Sequence, residues 1–147
     1  MGLRAATRGD VRRIVEMLDD DEIAKGRENL ADMAPYEAAF DAIAADPNNS
    51  LHVWEEGGKV VGCLQLTFIP GLSYQGAWTA QVEGVRVDRA LRSSGLGAKM
   101  MEAAAALSRA RGCKVLQLKT DKRRIHAHRF YERLGFTKSH EGMKLGL

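Results

Sequence analysis

Gly95 and Gly97 sit where a β-branched run ends and an Ala-rich run begins, a few residues after Arg92. Residues 85–98 read Val-Arg-Val-Asp-Arg-Ala-Leu-Arg-Ser-Ser-Gly-Leu-Gly-Ala, the pattern of a strand, a short loop and a helix start. Glycine lets backbone N–H groups approach a ligand closely, and a helix N-terminus offers unpaired donors and a partial positive charge. With the full charge of Arg92 nearby, residues 92–98 have the chemistry of a phosphate cradle. A tight turn beside a solvated arginine is the competing reading of the same residues. The glycines do not make the Gly-x-Gly-x-x-Gly of dinucleotide-binding folds, no acidic residue stands at the ribose position, and a Walker lysine is missing.

Upstream, Glu83 places a charge between Val82 and Gly84 on the strand that leads into this loop. A carboxylate there can deprotonate an ammonium, directly or through water, or merely bind it. A solvent-facing strand position is the alternative. His126, His128 and His140 are further candidate bases; the first two flank Ala127 on a helical segment and need not share a face, which favours surface roles. The cysteines, Cys63 and Cys113, lie in apolar runs without Cys-x-x-Cys or Cys/His spacing, so neither a disulfide nor a metal site is expected and buried free thiols are.

The pattern Arg92-x-x-Gly95-x-Gly97, followed by Ala98, resembles the Arg-x-x-Gly-x-Gly/Ala diphosphate motif of the GNAT acetyltransferase superfamily. Ala127-x-x-Phe130-Tyr131-x-x-x-Gly135-Phe136 resembles its second signature, and Leu3 to Thr7 with Asp10 resembles its opening strand and capped helix. The resemblance implies that acetyl-CoA is the co-substrate and that the strands 78–87 and 113–120 splay apart to admit its pantetheine arm, which bonds to strand backbone as an added strand would. Cofactor contacts are then expected from Val85, Arg86 and Val87, from Arg92, Ser93, Ser94, Gly95, Leu96, Gly97 and Ala98, and from Arg124, Ala127, Phe130 and Tyr131. Tyr131 corresponds to the tyrosine beside the thioester sulfur, a proton donor to the leaving thiolate. Glu83 would assist removal of the amine proton, and the Val85 N–H would stabilise the oxyanion. The second signature usually begins with Asn three residues before its Ala; here that position is Arg124, which puts the usual contact in doubt and leaves Arg124 facing a CoA phosphate as the alternative.

The elements that must position these residues are legible in periodicity. Val11, Ile14, Val15 and Leu18 recur at helical spacing; Pro35 suits the first turn of a second helix to about residue 45; 51–55 and 60–69 read as strands joined by Glu56-Gly57-Gly58-Lys59. A strand at 78–87, a helix at 95–111, a strand at 113–120, a helix at 124–134 and two short strands near 136–138 and 143–145 complete the reading. Residues 23–34 fit no element clearly.

That order predicts one mixed-sheet α/β domain spanning residues 1–147, and the resemblance implies that it is a GNAT fold with a mixed, mostly antiparallel sheet of six to seven strands flanked by about four helices. A length of 147 residues, 45% hydrophobic and 28% charged, suits one soluble core, with no apolar run long enough for a bilayer and no signal-like leader, so a cytoplasmic protein is expected. A net charge of +3 fits a polyanionic cofactor, and no helix-turn-helix pattern supports nucleic-acid binding. The expected activity is acetyl transfer to a primary amine of a small molecule, in a homodimer without metal. Acetylation of a protein or peptide amine, or CoA binding by a non-catalytic regulator, are the alternatives.

Overall fold

The structure, a computed structural model, describes residues 2–147. These residues fall into two compact bodies, one ending at Gln117 and the other Leu118–Leu147.

The first body is built on one five-stranded sheet of order β1-β2-β3-β4-β5, in which β1 (Gly2–Ala5), β2 (Asn49–Glu56), β3 (Lys59–Ile69) and β4 (Trp78–Val87) are successively antiparallel and β5 (Cys113–Gln117) is parallel to β4. The turn between β2 and β3 closes on Glu56 opposite Lys59, with Gly57 and Gly58 at φ 56° and 77°, the left-handed pair a two-residue hairpin needs. Helix α1 (Val11–Asp19) follows a single turn whose start is capped as its sequence predicts: the Thr7 N–H donates to Asp10 Oδ2 at 2.7 Å. α2 (Ala34–Ala45) carries Pro35 in its first turn and buries no residue.

Strand alternation sends side chains of β2 and β3 to both faces. On one face Val53 and Cys63 pack with Ile14 and Met17 of α1. On the other, α4 (Leu96–Ala110) presses close enough that a Cβ added at Gly62 would stand 2.6 Å from Met100 Sδ. Leu64, Leu66, Met100, Val53 and Val82 are almost wholly buried, each side chain contributing about 1.5–3 kcal/mol of hydrophobic stabilisation. A one-turn helix, α3 (Ser73–Gly76), occupies the predicted loop before β4, with Tyr74 and Gln75 at φ 53° and 60°.

Two expectations need correction. The sheet has five strands rather than six or seven, because 136–138 and 143–145 form no strand. A strand exists through its partner's hydrogen bonds, which an alternating pattern alone does not supply, and glycines at 142 and 146 weaken strand propensity in this tail. The strand expected to run to residue 120 stops at Gln117, for a reason lying in β4, described below. Among the described residues the helices are five with the single turn of α3 included; α5 (Ile125–Arg133) belongs to the second body. No helix among the described residues is long and apolar enough to cross a membrane.

Candidate active site

The first half of β4 pairs with β5 from Trp78 opposite Cys113 to Gln81 opposite Gln117; from Val82 onward β4 continues along β3 without a β5 partner. The parting coincides with an irregularity. Cys63 lies opposite Arg86 while Gln65 lies opposite Glu83, so β4 carries one residue more than β3 over this stretch, and Gly84 adopts φ 63°. An extra residue with a left-handed glycine is a β-bulge, which bends the strand and raises its twist. That bend carries β4 away from β5 and ends β5 early.

The bulge also aims the backbone. Cys63 Sγ donates to the Gly84 carbonyl at 3.5 Å; burial pushes this thiol up to about 12, so it stays protonated as a donor. Since a trans peptide points its C=O and N–H in opposite directions, the Val85 N–H points away from the Cys63 thiol. Likewise the Asp88 N–H donates to Val61 O at 2.8 Å, so the Val87 carbonyl faces outward, where Arg92 Nε reaches it at 3.3 Å. Beyond the bulge β4 thus presents an acceptor at Val87 on its outer edge, where β5 no longer pairs, and leaves the Val85 N–H without a bond to the Cys63 side. Glu83 stands immediately before the bulge with an exposed side chain.

Beyond Val87 the chain enters the loop. Asp88 Oδ1 accepts the Ala90 N–H at 2.9 Å, and its carboxylate pairs with Arg13 and, at 3.8 Å, Lys59. These contacts hold the Asp88 carboxyl below its usual value, the Ala90 N–H most. Ser93 and Gly95 adopt φ 65° and 90°, so two residues in left-handed conformation turn the chain into α4. A Cβ at Gly95 would meet nothing within 4 Å; glycine is needed there for its backbone, and the space it leaves faces the helix start. The Leu96 N–H reaches Ser94 Oγ at 3.4 Å, and the i→i−4 ladder begins with Lys99 N–H to Gly95 O at 3.3 Å. Gly97 and Ala98 therefore supply first-turn amides outside the ladder, where an anion is favoured. A diphosphate fits this donor set, and a peptide-like arm running back along β4 fits the Val85 and Val87 edge; acetyl-CoA offers both. Among the described residues no group of three or more His, Cys, Asp or Glu clusters as a metal site.

The arginines expected at the cofactor have partners of their own. Arg86 Nη2 donates to Asp21 Oδ2 at 3.0 Å, and Arg92 donates to Asp20 as well as to Val87. By sequence alone the acidic run Asp19, Asp20, Asp21 and Glu22 at the end of α1 reads as a helix terminator. Its sole signal was the count of arginines in 86–92, which acids must balance somewhere.

Arg124, Ala127, Phe130 and Tyr131 lie in the second body, at the start of and along α5. Asp121 organises this helix start: it accepts from Arg123 through both side chain and backbone, while its own carbonyl receives Arg124 N–H and lies 2.9 Å from His128 Nε2. Arg123 is the main reason the Asp121 carboxyl is held well below its ordinary range. Tyr131 packs edge to ring with Phe130 at 5.1 Å and Phe136 at 5.6 Å, and Gly135 at φ 99° turns the chain back so that Phe136 N–H bonds Tyr131 O at 3.0 Å. The second signature is therefore a local aromatic stack that fixes the Tyr131 ring. His126 is exposed, and His140 Nδ1 lies 2.7 Å from Oγ of its neighbour Ser139.

Comparison with known proteins agrees with this geometry. An aminoalkylphosphonate N-acetyltransferase of Salmonella typhimurium is 28% identical over 94% of the chain and 86% of its own length. A glucosamine 6-phosphate N-acetyltransferase of Trypanosoma brucei brucei is 31% identical over 61% of the chain and 59% of its own. A crystal structure of a Bacillus halodurans C-125 protein described as a transcriptional regulator superimposes with a TM-score of 0.94 at 45% identity, covering 99% of this chain and 98% of that one. The family model described as Acetyltransferase (GNAT) family matches residues 12–136, so the chain belongs to that family and is an acyltransferase.

Proposed function

We propose that this protein transfers the acetyl group of acetyl-CoA directly to a primary amine of a small molecule, and that the amine carries a phosphate or phosphonate group. The observation that carries the transfer reading is the continuity of Val85, Val87 and the 92–98 cradle along one strand, loop and helix: a thioester arm on β4 and a diphosphate at α4 can be held by one contiguous backbone. The acceptor class rests on the two curated relatives, whose named substrates are both small amines bearing a phosphorus oxyanion.

The bound co-substrate supplies an activated acyl carbon. A neutral amine attacks it, a C–N bond forms as the C–S bond breaks, and two protons must move. Glu83 takes the amine proton, directly or through water, before or during attack. The Val85 N–H, next to the bulge at Gly84, donates to the oxygen on which negative charge develops. Tyr131, its ring fixed by Phe130 and Phe136, returns a proton to the departing thiolate. Arg124, Ala127 and Phe130 line the cofactor in this reading. A homodimer is its assembly.

The test is a thiol-release assay with acetyl-CoA against paired amines, each aminoalkylphosphonate or amino-sugar phosphate beside its analogue lacking the phosphorus group. Turnover concentrated on the phosphorylated members is expected; turnover confined to polyamines or peptides would overturn the acceptor class. A second reading, a CoA-binding regulator without turnover, is favoured by the description of the Bacillus halodurans protein. Acetyl-CoA binding with no thiol release across the panel would select it.

A further inference from the structure

The residues that end α1 have no place in the mechanism above, yet they engage the cofactor loop. Asp20 Oδ2 accepts from Arg89 Nε at 3.2 Å, Oδ1 from Arg89 Nη2, and Oδ2 from Arg92 Nη2 at 3.5 Å. The Asp20 backbone carbonyl takes a further bond from Arg92 Nη2 at 3.0 Å. Arg92 is tied on its other side to Val87 O at 3.3 Å. Asp21, only 5% exposed, accepts from Arg86 and from the backbone N–H groups of Ile23 and Ala24. The end of α1 therefore gathers arginines from the last residues of β4 and from the loop that opens into the cradle.

Stability does not explain the Asp20 contacts. Arg89 and Arg92 are 61% and 43% exposed and Asp20 38%, and ion pairs in water contribute about 0–1 kcal/mol. Two roles remain. Asp20 is either a competitor, occupying guanidinium groups that cofactor phosphates would otherwise take, or a strut. The geometry decides between them: Arg92 is held by two backbone carbonyls as well as the carboxylate, at both ends of the loop's entry, so its side chain spans α1 and β4 as a brace. A loop that passes through left-handed Ser93 and Gly95 costs entropy to hold in one shape, and bracing it before binding removes that cost from the affinity.

We propose that Asp20 is a positioning residue for acetyl-CoA: through Arg89 and Arg92 it holds the 88–94 loop in the shape that presents the α4 amides to the diphosphate. The proposal rests on the reading of residues 92–98 as the cofactor cradle.

The experiment is calorimetric titration of acetyl-CoA into the full chain, wild type, Asp20→Asn and Asp20→Glu, with steady-state kinetics on the same three. Asp20→Asn deletes a negative charge beside a polyanion's site, so electrostatics or relief of competition would tighten binding. Bracing predicts the opposite sign: binding weakens about 5- to 30-fold, the loss falls on the KM for acetyl-CoA rather than on kcat, and Asp20→Glu recovers part of it. Thermal melting serves as control, since loss of an exposed pair shifts it little and a merely structural role would move melting instead. Equal or tighter binding by Asp20→Asn overturns the proposal while leaving the cradle intact. Absence of binding by the wild type overturns the cradle reading and the proposal with it.

Discussion

At the residue scale, Tyr131 and Glu83 make separable demands. Tyr131→Phe keeps the edge-to-ring stack with Phe130 and Phe136 and removes only the hydroxyl, so acetyl-CoA affinity should hold while the chemical step slows about 10- to 10⁴-fold in single-turnover measurement. Wild-type single-turnover rates would return Tyr131 to a packing role. Glu83→Gln should lower kcat/KM most at low pH, where the amine is largely protonated, and least at high pH, where free amine exists without help; a pH-independent loss would make Glu83 an amine-binding group and not a base. These candidates were legible because each breaks a local pattern: a charge in an apolar strand, a tyrosine beside a phenylalanine in a recognisable run. Asp20 and Asp21 broke none. Acids after a helix look like a helix end, and their function comes from arginines about seventy residues away, a distance no periodicity spans.

At the scale of elements, the strand–loop–helix of residues 78–110 was readable because each boundary has its own chemistry: β-branched alternation, left-handed glycine, alanine-rich propagation. The bulge was not, since Gly84 reads as a flexible strand residue until β3 supplies the register against which it is extra. The tail failed for the converse reason. Met143, Leu145 and Leu147 have strand spacing, but spacing proposes a face and only a partner makes a strand. Gly95→Val is the direct test of the cradle: a β-branched residue at φ 90° costs about 1–3 kcal/mol of strain, so the loop should relax and acetyl-CoA affinity fall at least about tenfold while circular dichroism stays native. Unchanged calorimetric affinity would remove the diphosphate from this loop. Asp10 tests the capped start of α1. Its carboxyl is held below the usual value chiefly by Arg4, with Thr7 assisting. A lowered folded value means the stabilisation is present above the unfolded value, near about 3.9, and is lost as pH falls through the folded one. Asp10→Asn should therefore cost about 0.5–2 kcal/mol near neutrality and flatten the acid limb of the stability curve; an unaltered limb would show that Arg4 contributes nothing through this pair.

At the scale of the whole molecule, the tail leaves Met143 and Leu145 93% and 86% exposed, more apolar surface than a lone chain in water favours. With β5 a sheet edge, a homodimer is the expected state, and light scattering should give twice the chain mass at micromolar concentration; a monomer mass there would contradict it. Leu145→Lys should shift the balance toward single chains. Family and fold were legible from two motifs and their order because the cofactor's two ends impose separate backbone requirements on one chain. The acceptor was not legible, since no residue pattern names it and the stretch 23–34 has no periodicity from which to read a role. The central claim, acetyl transfer to a small amine, is tested most directly by mixing enzyme, acetyl-CoA and an aminoalkylphosphonate, then measuring free CoA thiol and acetylated amine together by mass spectrometry. Equal amounts of thiol and N-acetyl product, growing with time and absent without enzyme, are the predicted result. Thiol released without acetylated amine, or acetyl-CoA bound and recovered intact across small amines, would contradict it.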